Sequence, residues 1–135
     1  MKSTIITLLL LFSINYVFSQ TEYHCFDADK NPTLKISVKY VNAVAVSVKY
    51  IGQKTAIPLV AIKSIQKINT SGGVPASDDS YSEKNNGVIT GKYTFTHSGI
   101  WDYVTYKRKD GKVFNFTINH DETVIDGNYR TSPCF

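Results

Sequence analysis

Residues 100–118 constrain this chain more than any other stretch: an aromatic and β-branched run, an Asp110-Gly111 dipeptide, then a second such run. Asp-Gly favours the two-residue type I′ turn, whose central residues both need φ > 0, so the segment reads as a β-hairpin. A two-residue turn sets the register, pairing Lys109 with Lys112, Thr105 with Phe116, Tyr103 with Ile118 and Trp101 with His120. Trp101, Tyr103, Phe114, Phe116 and Ile118 then share one buried face, with Trp101 or Tyr103 in the core. Asp102, Tyr106, Asn115 and Thr117 fall on the wet face, around Val104 and Val113. Such a half-buried hairpin implies an antiparallel sheet.

The rest of the chain supplies the other strands. Leu34, Ile36, Val38 and Tyr40 alternate with Lys35, Ser37 and Lys39, and Val44, Val46, Val48 and Tyr50 repeat the pattern after Asn42. Period two with a polar opposite face marks half-buried strands. Another run spans Thr55 to Ile62, where Pro58 removes a ladder donor and so marks a sheet edge or a bulge. Ile62, Ile65 and Ile68 fall three apart, which leaves strand and helical turn open. Residues 69–80, with Gly72-Gly73 and Pro75, read as a long loop. A further element begins at Tyr81, Asn86-Gly87 gives another hairpin turn, and Val88 to Thr96 leads into the central hairpin. Thr123-Val124-Ile125 is a short last strand, broken by Asp126-Gly127. Seven to eight short strands with no long amphipathic helix make an all-β fold, a small antiparallel barrel or sandwich.

The chain of 135 residues is long enough for one domain. Lys2, the apolar run Ile5 to Phe12 and Val17-Phe18-Ser19 have the layout of a cleaved signal peptide over residues 1–19, leaving a single all-β domain over 20–135. The apolar run is interrupted at Ser13 and Asn15 and falls short of the ~20 residues a membrane-spanning helix needs. Export to the periplasm or beyond, without a membrane anchor, is the expectation. In an oxidising compartment the two cysteines, Cys25 and Cys134, pair most simply as a disulfide that ties the domain's ends together.

Charge and chemistry narrow the function by exclusion. Beyond residue 19 the chain carries 14 basic and 11 acidic residues, a mild and scattered excess. Its one cluster, Lys107-Arg108-Lys109 with Lys112, reads as a solubilising turn and gives no case for nucleic acid. There is no Cys-x-x-Cys, and His24, His97 and His120 are scattered, so no metal or cofactor is expected. Asp78, Asp79 and Glu83 read as solvated turn carboxylates. The closeness of His97, Ser98 and Asp102 in sequence is no evidence for a triad, which is assembled in space from separated segments. The reading is a binding protein that is not an enzyme.

Tyr23-His24-Cys25, paired strands, Ser77-Asp78-Asp79-Ser80-Tyr81, a Gly-containing turn, Tyr103-Val104-Thr105-Tyr106-Lys107-Arg108 and the terminal Cys134 together resemble the MliC/PliC-type periplasmic inhibitors of c-type lysozyme. The resemblance implies an eight-stranded barrel whose Tyr-x-Cys cysteine bonds to one near the C-terminus. It also implies a protein partner, a lysozyme, whose glycosidase cleft is occluded by a surface loop. The family's Ser-Gly-x-x-Tyr motif is matched at Ser77 and Tyr81 and departs at the glycine. Its Lys-Gly turn corresponds to His97-Ser98-Gly99, matched at Gly99, with His97 near the cation's place. Ser77, Tyr81, His97 and Gly99 are therefore the implied partner-binding residues. The alternative is a barrel module that binds another envelope component or a small ligand without inhibiting anything.

Overall fold

The computed structural model describes residues 18–67 and 75–135. The expected signal segment lies outside them up to Val17, as do Ile68 and residues 69–74 of the expected long loop. Eight antiparallel strands pair in chain order and close into a barrel: β1 (Thr21–Ala28), β2 (Asn31–Val41), β3 (Val44–Tyr50), β4 (Ile57–Lys67), β5 (Ala76–Asn85), β6 (Val88–Ser98), β7 (Trp101–Arg108) and β8 (Val113–Ile118). Closure is by β8 onto β1, through Ile118 opposite Phe26, Thr117 opposite Asp27 and Phe116 opposite Ala28. A single helical turn α1 (His120–Thr123) and two short strands, β9 (Val124–Ile125) and β10 (Asn128–Tyr129), complete the chain. The all-β barrel expected from the alternation is what forms. Phe26, Ile36, Val38, Val48, Tyr93, Val104 and Phe116 fill its interior with essentially no exposure. An eight-stranded barrel is just wide enough for side chains to fill in this way.

The central hairpin forms, but with a register one residue away from the expected one. Tyr103 lies opposite Thr117, Val104 opposite Phe116 and Tyr106 opposite Phe114. The loop has three residues, Lys109, Asp110 and Gly111, and Arg108 N–H donates to the Lys112 carbonyl at 2.9 Å. Only Gly111 has positive φ (91°), as in a type I turn closed by a glycine bulge. Asp110 decides between the two loops: its carboxylate accepts Lys112 N–H at 3.0 Å and pairs with Arg108, satisfying groups that a two-residue turn would use otherwise. A one-residue slip exchanges the faces of a strand. Val104 and Tyr106 are therefore buried, whereas Trp101 and Tyr103, expected in the core, are 44% and 40% exposed.

One open reading is settled and two expectations change. Ile62 and Ile65 lie on β4, and their spacing of three reflects a β-bulge between Ala61 and Lys63, not a helical turn. Ser77–Tyr81, expected in a loop, belongs to β5, a strand paired on both sides with β4 and β6. Glu83 is no solvated turn residue either. It is buried inside the barrel, where Tyr93 and Tyr106 donate to its two oxygens at 2.8 and 2.9 Å and Thr90 adds a third hydroxyl. Tyr50 donates to the Tyr93 oxygen at 2.6 Å, and burial pushes the Tyr50 phenol up to about 12. Burial, with the Glu83 carboxylate beside it, likewise raises the Tyr106 phenol. These tyrosines thus keep the protons they donate.

The segment after β8 straps the outside of β1 and β2. Thr123, wholly buried, accepts Cys25 N–H at 2.9 Å, and Tyr23 N–H donates to the Arg130 carbonyl at 2.9 Å. Cys25 and Cys134 form the disulfide expected of them, with Cα atoms 5.9 Å apart. Such a bond fits an oxidising, exported compartment. Among the described residues no helix is long and apolar enough to cross a membrane.

Candidate functional site

One end of the barrel opens into a cleft of about 310 Å³. Strand alternation aims inward-pointing residues at it from β1 (Glu22, His24), β2 (Tyr40), β5 (Ser77, Asp79, Tyr81), β6 (His97) and β7 (Asp102), with Tyr103 and Tyr129 at its edge. Ser77, Tyr81 and His97, taken from separate parts of the sequence, thus come together. Gly99 lies just beyond, in the tight β6–β7 turn, with φ of 64° and the next residue, Ile100, 74% exposed. A glycine at the first central position of a two-residue hairpin suits a type II′ turn.

Asp102 is the hub of this cleft. One carboxylate oxygen is hydrogen-bonded to His97 Nδ1, and the other lies 3.6 Å from His24 Nδ1. Burial pushes the Asp102 carboxyl up, but the contacts with His24 and His97 outweigh it and hold the group below the usual aspartate range. His24 is itself buried, sandwiched between the rings of Tyr40 and Tyr129 at 4.5 and 4.6 Å, with its Nε2 3.6 Å from Glu22. Burial, and secondarily Asp102, raises the Tyr40 phenol well above its ordinary value. The cleft therefore combines three carboxylates, two imidazoles and a wall of neutral phenols.

Tyr81 plays a different part from the one the resemblance implies. It is only 6% exposed, its ring packs edge-on against Phe95 at 5.3 Å, and its hydroxyl accepts Ala45 N–H from β3 at 3.4 Å. It is a wall of the cleft and a tie between strands, while Ser77 and His97 stand at the mouth.

Ser77 is the cross-strand neighbour of His97, which in turn is the neighbour of Asp102. The order resembles a nucleophile, base and orienting acid, but acyl transfer also needs free backbone donors for an oxyanion. Among the described residues no group of three His, Cys, Asp or Glu side chains could hold a metal ion. The cleft presents carboxylates and aromatic faces that a cation could meet, and a hydroxyl and an imidazole for hydrogen bonds.

The sequence reading missed Glu22, Tyr40 and Tyr129 as site residues and put Asp102 on a wet outer face. The register accounts for Asp102: pairing through a three-residue loop turns it inward. Tyr129 is brought in by the C-terminal strap, which no local pattern signals. Compared with known proteins, the chain matches no family model, no curated protein and no solved structure.

Proposed function

We propose that the protein is an exported, non-enzymatic binding protein of lysozyme-inhibitor type, which recognises a basic protein partner through the open end of its barrel. The observation that carries this reading is the convergence of Ser77, Tyr81 and His97, from β5 and β6, on one cleft with Glu22, Asp79 and Asp102. The chain as a whole is basic, with formal net charge +4, so attraction to a basic partner has to be local, and these three carboxylates supply it. Contact is made by the rim, not by insertion of residues 77–81, because those residues are held in a strand. Ser77 and His97 offer hydrogen bonds, Tyr103 and Tyr129 offer broad aromatic area, and the protruding Gly99-Ile100 turn takes the part the loop was assigned. Export through the leader over residues 1–19 fits the Cys25–Cys134 disulfide. A second reading, a small organic cation in the same cleft, is favoured by its aromatic and acidic walls.

Clearance of a cell-wall suspension by c-, g- and i-type lysozymes, with and without the purified mature chain, tests the first reading. The c-type enzyme is expected to be slowed, and Tyr103→Ala to weaken inhibition by about 2 kcal/mol, roughly thirty-fold in affinity. If none of the three enzymes is slowed at micromolar protein, the inhibitor reading falls and the small-ligand reading takes its place.

A further inference from the structure

The two ends of the barrel differ in chemistry. Hairpin connections alternate between them, so the β1–β2, β3–β4, β5–β6 and β7–β8 turns gather at the end opposite the cleft. Contacts among these turns follow. Lys109 N–H donates to the Thr90 carbonyl at 3.1 Å, joining the β7–β8 loop to the start of β6. Lys54 of the β3–β4 loop and Asn86 of the β5–β6 turn border one hollow, and Lys30 and Lys112 of the other two turns border a second. Between the hollows lies a pocket of about 280 Å³ walled by Leu34, Ile57 and Phe114. None of these residues lines the acidic cleft.

Lys30, Lys54, Lys84, Arg108, Lys109 and Lys112 are exposed around this end, against the exposed carboxylates Asp29 and Asp110. Asp110 pairs with Arg108, and Asp29 accepts the Thr117 hydroxyl at 2.8 Å. Glu83, which borders the pocket, is buried and already bonded to three hydroxyls. The next carboxylates along the wall, Asp27 and Glu122, hold Lys35 at 3.3 and 2.8 Å. Among the described residues the five lysines therefore make no ion pair. Among them stand Ile51, Val88, Ile89 and Val113, 44–57% exposed, with Ile89 directly opposite Lys84. Protruding aliphatic side chains ringed by lysines suit the boundary between lipid headgroups and acyl chains, where ammonium groups meet phosphate and apolar tips enter hydrocarbon. A nucleic acid needs open stacking platforms, whereas the Phe114 ring here is half-buried, with the Lys112 ammonium 5.1 Å above it. We propose that this basic end of the barrel docks on an anionic lipid surface, leaving the acidic cleft directed away from the bilayer and free for its own partner.

The full mature chain is sedimented with vesicles of phosphatidylcholine, alone or with about one third phosphatidylglycerol. Binding is expected to be about tenfold tighter to the anionic vesicles, and to weaken as salt rises from about 0.1 M to about 1 M and the Debye length shrinks from about 10 to about 3 Å. Lys54→Glu with Lys84→Glu is expected to weaken it about tenfold, and Val88→Asn with Ile89→Asn about fivefold, each pair keeping the strand-rich circular dichroism. Lys39→Glu with Lys63→Glu makes the same change of charge in the cleft half of β2 and β4 and is expected to weaken binding less than about twofold. Trp101, the chain's one tryptophan, starts β7 at the cleft end, so wild-type emission stays unmoved on vesicles. Val88→Trp in a Trp101→Phe background shifts to the blue. Vesicle binding needs no lysozyme, and the Lys54→Glu, Lys84→Glu chain still slows lysozyme if the cleft is read correctly, so either reading can fail alone. The proposal is overturned if anionic vesicles bind no better than neutral ones, if the Lys39→Glu, Lys63→Glu pair weakens binding as much as the first, or if the Val88→Trp emission does not move. It is also overturned if soluble polyglutamate holds the chain as well as vesicles do and Val88→Asn with Ile89→Asn changes nothing, which marks an acidic polymer as the occupant.

Discussion

Asp102 and Ala43 show how single residues at the barrel's open end carry consequences that sequence position alone does not reveal. The folded-state pKa of Asp102 is depressed by its histidine partners against the effect of burial, so the sign follows directly. Its contribution to stability is present above the ordinary aspartate value of about 3.9 and is lost as pH falls through the folded value. Urea denaturation of the wild type and of Asp102→Asn should therefore show a difference that holds steady above about pH 5 and shrinks as pH falls below the ordinary aspartate value. Ala43 sits in the β2–β3 turn at φ 65° next to Asn42 at 49°, a left-handed conformation that costs a residue with a Cβ about 1–2 kcal/mol. Ala43→Gly is expected to raise stability by about 1 kcal/mol, which thermal denaturation of a domain this size reads as about 4–8 °C.

Among the elements, the β7–β8 hairpin tests whether a loop's length or its dipeptide sets the register. With Val104 and not Trp101 inside, Val104→Ala should cost about 2 kcal/mol, for the lost burial and the cavity left behind, and Trp101→Ala less than about 1. The order of the two urea midpoints would reverse if the Asp110-Gly111 turn had only two residues. Tyr106, brought inside by the same register, lies against β6 at Gly91, where a Cβ would stand 2.3 Å from its ring. That close approach lets its hydroxyl reach Glu83, so one glycine and one register choice together build the buried tyrosine–carboxylate cluster.

On the scale of the whole molecule, the Cys25–Cys134 bond closes a loop of 109 residues around the barrel. In the chain-entropy model a loop of about 100 residues is worth roughly 4.7 kcal/mol. Replacing both cysteines by alanine is expected to lower the stability measured in urea by about 3–5 kcal/mol. The strap that carries Tyr129 loses its covalent anchor in that variant, so partner binding at the cleft should weaken at denaturant concentrations where the barrel still stands. Strand-rich circular dichroism with binding lost would mark that intermediate condition.

Alternation of apolar and polar residues from Leu34 to Tyr50, the turn dipeptide Asn86-Gly87 and the paired cysteines determine an all-β domain with tied ends, because each is a local or pairwise property of the chain. Pro58 likewise marks in advance the point where the sheet's ladder stops. What they leave open is parity. β7 has large apolar residues on both faces, Trp101 and Tyr103 against Val104 and Tyr106, and β5 is so polar that Ser77–Tyr81 passes for a loop. Only pairing with β6 and β8 chooses the inward face, through the loop that the Asp110 side chain closes. That choice turns Asp102 inward between His24 and His97, and the strap then adds Tyr129 from the far end of the chain. The fold follows from short-range patterning, whereas the cleft depends on register and long-range closure, which are settled only when the strands meet.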